Sequence, residues 1–157
     1  MSELKIVTVP DPILFQGWNY TPSTEEAIDL GVKMLGLMEK ADGVGLAAQQ
    51  VGLRWAMFVM SESGRASDGK IIRNPRITRT SDFGAVGIEG CLSIPGVSLG
   101  IKRFESIDAT WYDEKGKLVM KKLTGKPARI FQHEMDHLNG ILISDRFEDQ
   151  QRGILED

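Results

Sequence analysis

Histidine occurs only twice in the 157 residues and cysteine once. A single cysteine excludes an internal disulfide framework, and a free thiol suits a reducing compartment. Acidic and basic residues nearly balance, 22 against 19, for a net charge of −3. There is thus no electrostatic reason to expect nucleic acid or an anionic membrane as a partner. No apolar stretch approaches the ~20 residues that span a bilayer. Met1-Ser2-Glu3-Leu4-Lys5 lacks the basic segment and long apolar run of a secretory signal, so none is expected. Internal repeats and low-complexity tracts are also missing. What is present, 41% hydrophobic and 26% charged residues, fits a soluble globular domain of the commonest size. Such a chain buries roughly two thirds of its unfolded surface, enough for one core without staples. The expectation is a single cytoplasmic domain over residues 1–157.

Val9-Pro10-Asp11-Pro12 forbids helix near the start, because proline fixes its own φ and restricts its predecessor. A helix follows. Ser23 with Glu26 has the form of a capping box, Ile28, Val32, Leu35 and Met38 recur at helical spacing, and Asp42-Gly43 ends the pattern. Trp55-Ala56-Met57-Phe58-Val59-Met60 is short, continuous and apolar, as in a buried strand. Residues 61–69 predict a loop and 70–73 a strand that Asn74-Pro75 ends. Ile107, Ala109 and Trp111 alternate with Asp108, Thr110 and Tyr112, and Asp113-Glu114-Lys115-Gly116 turns that strand into another at 118–123. Pro127 fits the first turn of a last helix reaching about Asn139, with Gly140 as its stop and Ile130, Phe131 and Leu138 on its buried side. Residues 148–157 are expected as a short, polar, frayed tail. With no regular strand–helix alternation, the pattern predicts an α+β fold with mainly antiparallel sheets.

Both histidines fall in one string on that last helix, His133-Glu134-Met135-Asp136-His137. Residues four apart share a helix face, so both imidazoles can grip one metal ion. Glu134, rotated off that face, stays close enough to exchange protons with a water at the metal. The alternative is a solvated face on which two histidines fell four apart; against it, residues 130, 131 and 138 bury this helix. A catalytic metal takes three protein ligands and keeps a position for water. Downstream, only Glu148 or Glu156 in the tail could be the third. Cys91, within Glu89-Gly90-Cys91-Leu92-Ser93, is the better candidate, although a lone cysteine is more often a small core residue. A third segment, Gly43-Val44-Gly45-Leu46-Ala47-Ala48-Gln49-Gln50, lacks the spacing of nucleotide-binding loops. Its small residues fit either tight helix packing or a backbone strip along which a substrate lies, ending in an amide able to donate to an oxyanion.

Together, the 43–50 and 89–93 segments and Gln132-His133-Glu134-Met135-Asp136-His137 resemble the three signature motifs of the peptide deformylases, in the same order. The resemblance runs from about Val9 to Phe147, and Pro95-Gly96 and Pro127-Ala128-Arg129-Ile130-Phe131 are most similar to the plastid-type and related bacterial branch. It implies antiparallel sheets packed around a central metal-binding helix, and a hydrolase that removes the N-formyl group from the initiator methionine of nascent polypeptides, releasing formate. By position it implies Cys91, His133 and His137 as metal ligands, usually to Fe2+, with Zn2+, Ni2+ or Co2+ as substitutes. Glu134 would be general base and then acid, Gln50 and the Leu92 backbone N–H the oxyanion donors, and Gly45 a substrate contact. Val44 and Ile130 are candidates to line the hole for the methionine side chain. The peptide would lie extended between the 43–46 strip and the segment after Cys91. Asp136 is expected as an exposed helical carboxylate in preference to a partner that supports the metal ligands from behind, and Arg103 as either a groove-side or a surface cation.

The partners implied are N-formyl-Met nascent peptides, without nucleic acid or membrane. Many bacterial relatives extend a long C-terminal helix that docks on the ribosome. This chain stops soon after Phe147, as in shortened deformylases of some phages, which leaves at most a transient ribosome contact. The expected location is the cytoplasm, or the host cytoplasm for a phage-encoded member. Two rivals share the ligands. A zinc endopeptidase would use the same helix but draw its third ligand from downstream, where no histidine follows His137. A purely structural metal site closes with four protein ligands, and the chain has no fourth Cys or His.

Overall fold

The structure, a computed structural model, describes residues 3–156. The elements run α1 (Thr24–Lys40), β1 (Gly45–Ala47), β2 (Met57–Met60), β3 (Lys70–Thr80), β4 (Phe83–Cys91), β5 (Ile94–Phe104), β6 (Ser106–Tyr112), β7 (Leu118–Thr124), α2 (Gly125–Leu138) and α3 (Ile143–Glu156). Strands β1-β2-β3-β6-β7 form one sheet in that order, and β4 and β5 pair separately. Every strand pairing is antiparallel, in line with the expected α+β class. No helix among the described residues is long and apolar enough to cross a membrane.

The capping box at α1 is real. Ser23 Oγ accepts from the Glu26 N–H at 3.1 Å, and Glu26 Oε1 accepts from the Ser23 N–H at 2.9 Å, satisfying two donors that a helix start leaves open. The buried stripe, however, is Ala27, Leu30, Gly31, Met34, Leu35 and Met38. It keeps the expected Leu35 and Met38 but is rotated at its start, where Ala27 and Gly31 take the places of Ile28 and Val32, and Val32 faces solvent. Gly31 explains the rotation, since a Cβ there would come within 2.7 Å of Ile71 on β3. Close helix–sheet approach selects the glycine face.

β2 is apolar throughout because it is covered on both sides. Met57 and Val59 pack with α1, whereas Phe58 and Met60 join the cluster around α2. In that second cluster Phe131 meets Phe58 edge-on at 5.0 Å between ring centroids and Trp111 at 5.7 Å. β6 alternates as expected, with Ile107, Ala109 and Trp111 buried. α2 is thus a central helix held between the sheet and the β4–β5 hairpin. Gln132 fixes it to the hairpin, its amide accepting from the Phe104 N–H at 2.9 Å and donating to the Phe104 carbonyl at 2.8 Å.

Three segments depart from expectation. β3 does not stop at Asn74-Pro75 but continues to Thr80. A register shift between Arg73 and Arg76 against β6, with Asn74 at φ 48°, takes the proline out of the ladder, which a bulge permits. Residues 83–104 form a long hairpin with no clean polar–apolar alternation to announce it. Residues 148–156, expected as a tail, lie in α3, whose Gln150 amide pairs with both the N–H and the carbonyl of Lys102 on β5.

Candidate metal centre

Cys91 closes β4, and His133 and His137 stand one turn apart on α2. Their ligand-capable atoms all lie within 4.8 Å of one another, although 42 residues separate Cys91 from His133 in the chain. The His137 Nε2 is 3.4 Å from the Cys91 sulfur, and the His133 Nε2 is 3.9 Å from Glu134 Oε2. Both Nε2 atoms therefore face the same spot. At His133 the other ring nitrogen, Nδ1, is 2.9 Å from Glu89 Oε1. A carboxylate at that distance places the hydrogen on Nδ1 and leaves the Nε2 lone pair free to ligate. The Glu134 Oε1 and the His137 Nδ1 are buried with no protein partner.

The site's charges favour a cation. Burial pushes the Glu134 carboxyl up to about 7, against the opposing pull of His133. Burial, with the nearby positive groups His133 and Arg103, holds His137 well below the usual imidazole range, so it is neutral and ready to donate a lone pair. Burial also opposes a charge on His133, but Glu134, Cys91 and Glu89 outweigh it and carry its value to about 10. The acidic groups around His133 thus favour a positive charge at this place. A divalent ion would supply that charge instead, displacing the proton as ligation requires. One thiolate and two imidazoles, with no fourth protein ligand among the described residues, fit an open site.

Beside this cluster lies a cavity of about 720 Å³. Asp42, Gly43, Val44 and Gly45 form one wall, residues 88–98 much of the other, and Ile130, His133 and Glu134 the base. Gly45 does more than border it. A Cβ there would overlap Glu134 Oε2 and stand 2.9 Å from its carboxyl carbon, so the glycine makes room for the carboxylate. Gln50 sits on the 3₁₀ turn after β1. Its Oε1 accepts from the Ala47 N–H at 2.9 Å, which aims its amide nitrogen at Ser93 Oγ, 3.1 Å away, and at the Cys91 sulfur at 3.8 Å. Ser93 in turn donates to the Val7 carbonyl at 2.7 Å, leaving its oxygen free to accept from Gln50. All of Cys91, His133, His137, Glu134, Gln50, Leu92, Val44, Gly45 and Ile130 come together at this place.

Two residues stand differently from expectation. Asp136 is buried rather than exposed, and Arg103 is buried rather than a surface or groove cation. They meet at 2.6 Å, and Arg103 also forks onto Glu89 through Nε and Nη2 at 2.9 and 2.8 Å. Burial works against the Glu89 charge, but Arg103 and His133 outweigh it and hold the carboxyl at about 2. Glu89 carried no role in the sequence reading. The missed signal is period two, because Glu89 and Cys91 are alternate residues of one strand and so share a face.

Residues 3–153 match the family model described as Polypeptide deformylase. The chain belongs to that family. It is 41% identical over 152 residues to "Peptide deformylase 1B, chloroplastic/mitochondrial" of Arabidopsis thaliana, covering 95% of this chain and 56% of that protein. It is 39% identical over 153 residues to the peptide deformylase of Borreliella burgdorferi, covering 97% and 92%. The crystal structure of the Thermotoga maritima deformylase superposes with a TM-score of 0.86 at 35% identity, over 94% of this chain and 99% of that one. The chain spans about half the length of the plant deformylases it matches and most of the length of the bacterial one.

Proposed function

We propose that this chain is a metal-dependent hydrolase that removes the formyl group from the N-terminal methionine of nascent polypeptides, releasing formate. The observation that carries this is the convergence of Cys91, His133 and His137 within 4.8 Å, with Glu134 beside them in an open cavity, in a chain of the deformylase family. Cys91, His133 and His137 hold the ion, which we take to be ferrous iron. Zinc, nickel or cobalt suit the same donors, since affinity order alone does not select iron. An ion held there would supply Lewis acidity, the property that makes a water more acidic at neutral pH and polarises a carbonyl.

The chain's own groups do the rest. Glu134, with a carboxyl pushed toward neutrality, takes the proton of the attacking water and later delivers it to the leaving amine as the formyl C–N bond breaks. The Gln50 amide nitrogen and the Leu92 N–H meet the charge that develops on the former carbonyl oxygen; losing one such donor costs about 100- to 1000-fold in rate. The peptide lies extended between the 42–45 wall and the 88–98 wall, adding strand-like hydrogen bonds. Val44 and Ile130 line the hole for its methionine, and Gly45 gives its backbone close approach. The substrates are chains still being made, which places the work beside the ribosome in the cytoplasm or its equivalent.

Anaerobic purification, metal analysis and an assay of formate release from formyl-Met peptides against unformylated controls test the reading. Formate release that decays in air supports it with ferrous iron. Cleavage of internal bonds in unformylated peptides, with no formate, makes the protein an endopeptidase instead.

A further inference from the structure

A chain of ion pairs runs from the C-terminal helix to the metal site. On α3, Arg146 forks onto Asp136, with Nε 2.9 Å from Oδ2 and Nη2 2.7 Å from Oδ1. Asp136 accepts in turn from Arg103 Nη1 at 2.6 Å. Arg103 turns its other two donors onto Glu89, whose Oε1 is shared between Arg103 Nη2 and His133 Nδ1. The interior of the chain is dry, with the side chains of Arg103, Glu89 and Asp136 at 5%, 5% and 9% exposure. Only its outer end, Arg146 at 40%, reaches water.

We propose that Arg146 is a positioning residue for His133, and through it for the metal, acting by way of Asp136, Arg103 and Glu89. This rests on the metal-site reading above. The physical reason is that Arg103 serves two buried carboxylates with one rigid planar group. While Arg146 satisfies Asp136, Arg103 can lie square on Glu89. Without Arg146, Asp136 is left with Arg103 alone and draws the guanidinium toward itself. A planar fork cannot turn toward one carboxylate without changing its angle on the other, and Glu89 passes that change to His133. Arg129, which also donates to Glu89 at 2.6 Å, limits the movement. The effect therefore falls at the lower end of the 10- to 100-fold loss in metal affinity typical of groups that orient ligands. The Arg146–Asp136 contact, rather than the docking of α3 as a whole, is thereby linked to retention of the metal.

The test loads the full chain with Co2+ anaerobically and follows the thiolate-to-cobalt absorption as excess EDTA removes the ion. Arg146→Ala should release cobalt about tenfold faster than wild type, and Arg146→Lys, which keeps the charge but not the fork, by an intermediate factor. Gln150→Ala loosens α3 at Lys102 without touching the chain of ion pairs, and should release at the wild-type rate. Asp136→Asn removes the charge that would draw Arg103 away from Glu89, so in the double variant it should blunt the acceleration caused by Arg146→Ala, because both act through one link. Equal rates for wild type and Arg146→Ala overturn the proposal, as does equal acceleration by Gln150→Ala, which would make helix docking alone responsible. If Arg146→Ala does not fold, Arg146→Lys decides by the same criterion. Wild-type protein that gains no thiolate-to-cobalt band would instead overturn the metal site itself.

Discussion

Glu89 Oε1 takes the hydrogen of His133 Nδ1 across 2.9 Å, so a carboxylate on β4 sets the orientation of an imidazole on α2. Glu89 accepts on both oxygens, with Arg103 on each and Arg129 adding a second bond to Oε2. Its lone pairs are fully used and it cannot swing. A rigid acceptor of this kind gives a ligand a fixed direction before any ion arrives, and a fixed tautomer once its Nε2 gives up the proton.

Glu89→Gln keeps the shape but loses the charge that three cations share. Breaking a buried pair from one side typically costs about 3–5 kcal/mol, and loosening a ligand about 10- to 100-fold in metal affinity. Both thermal stability and cobalt affinity should fall. A variant with wild-type affinity would show that Glu89 does not orient His133.

Glu134→Ala should keep its metal, because Cys91, His133 and His137 are untouched, yet lose about 100- to 10,000-fold in turnover. Metal content and formate release, measured on one preparation, separate the two effects. Near-normal turnover would remove Glu134 from the proton-transfer role.

Gly45→Ala sets a methyl where Glu134 Oε2 lies. The carboxylate must shift, and a displaced catalytic group of this kind costs on the order of 100-fold. The expected outcome is a lower kcat with intact metal content. A change confined to KM would mean that Gly45 serves only the peptide.

Glu26 titrates in the α1 capping box. The Ser23 N–H, followed by the Tyr20 hydroxyl at 2.7 Å, holds its carboxyl below the ordinary value of 4.5. A depressed carboxylate contributes stability that is present above its unfolded pKa and lost as pH falls through its folded one. The Tm difference between wild type and Glu26→Gln should therefore hold near neutrality and shrink in acid. A difference that stays constant into strong acid counts against the cap as its source.

The sequence made some elements legible and hid others for physical reasons. The α1 cap, the β6–β7 hairpin and α2 were visible because each is fixed by local rules, namely capping, alternation and proline placement. β4 and β5 were hidden because Gly84, Gly87, Gly90, Gly96 and Gly100 break the polar–apolar signal while still allowing pairing. Asp136 looked like a solvent-facing helical acid because nothing local distinguishes it from one. Its two arginines arrive from β5 and α3.

The sequence by itself determined which soft donors exist and that two of them share a helix face, since helix geometry and an inventory of two histidines and one cysteine need no tertiary information. It left the cysteine in competition with tail carboxylates and with a place in the core. Only the tertiary structure decided how that site is held. It brought Cys91 across 42 residues to the helix and placed Gly45 where only a hydrogen fits beside Glu134. It also joined Glu89, Arg103 and Asp136 into one dry chain of charge that Arg146 closes at the water side. Long-range pairing of buried charges depends on which surfaces exclude water together, and that is a property of the packed fold rather than of any segment within it.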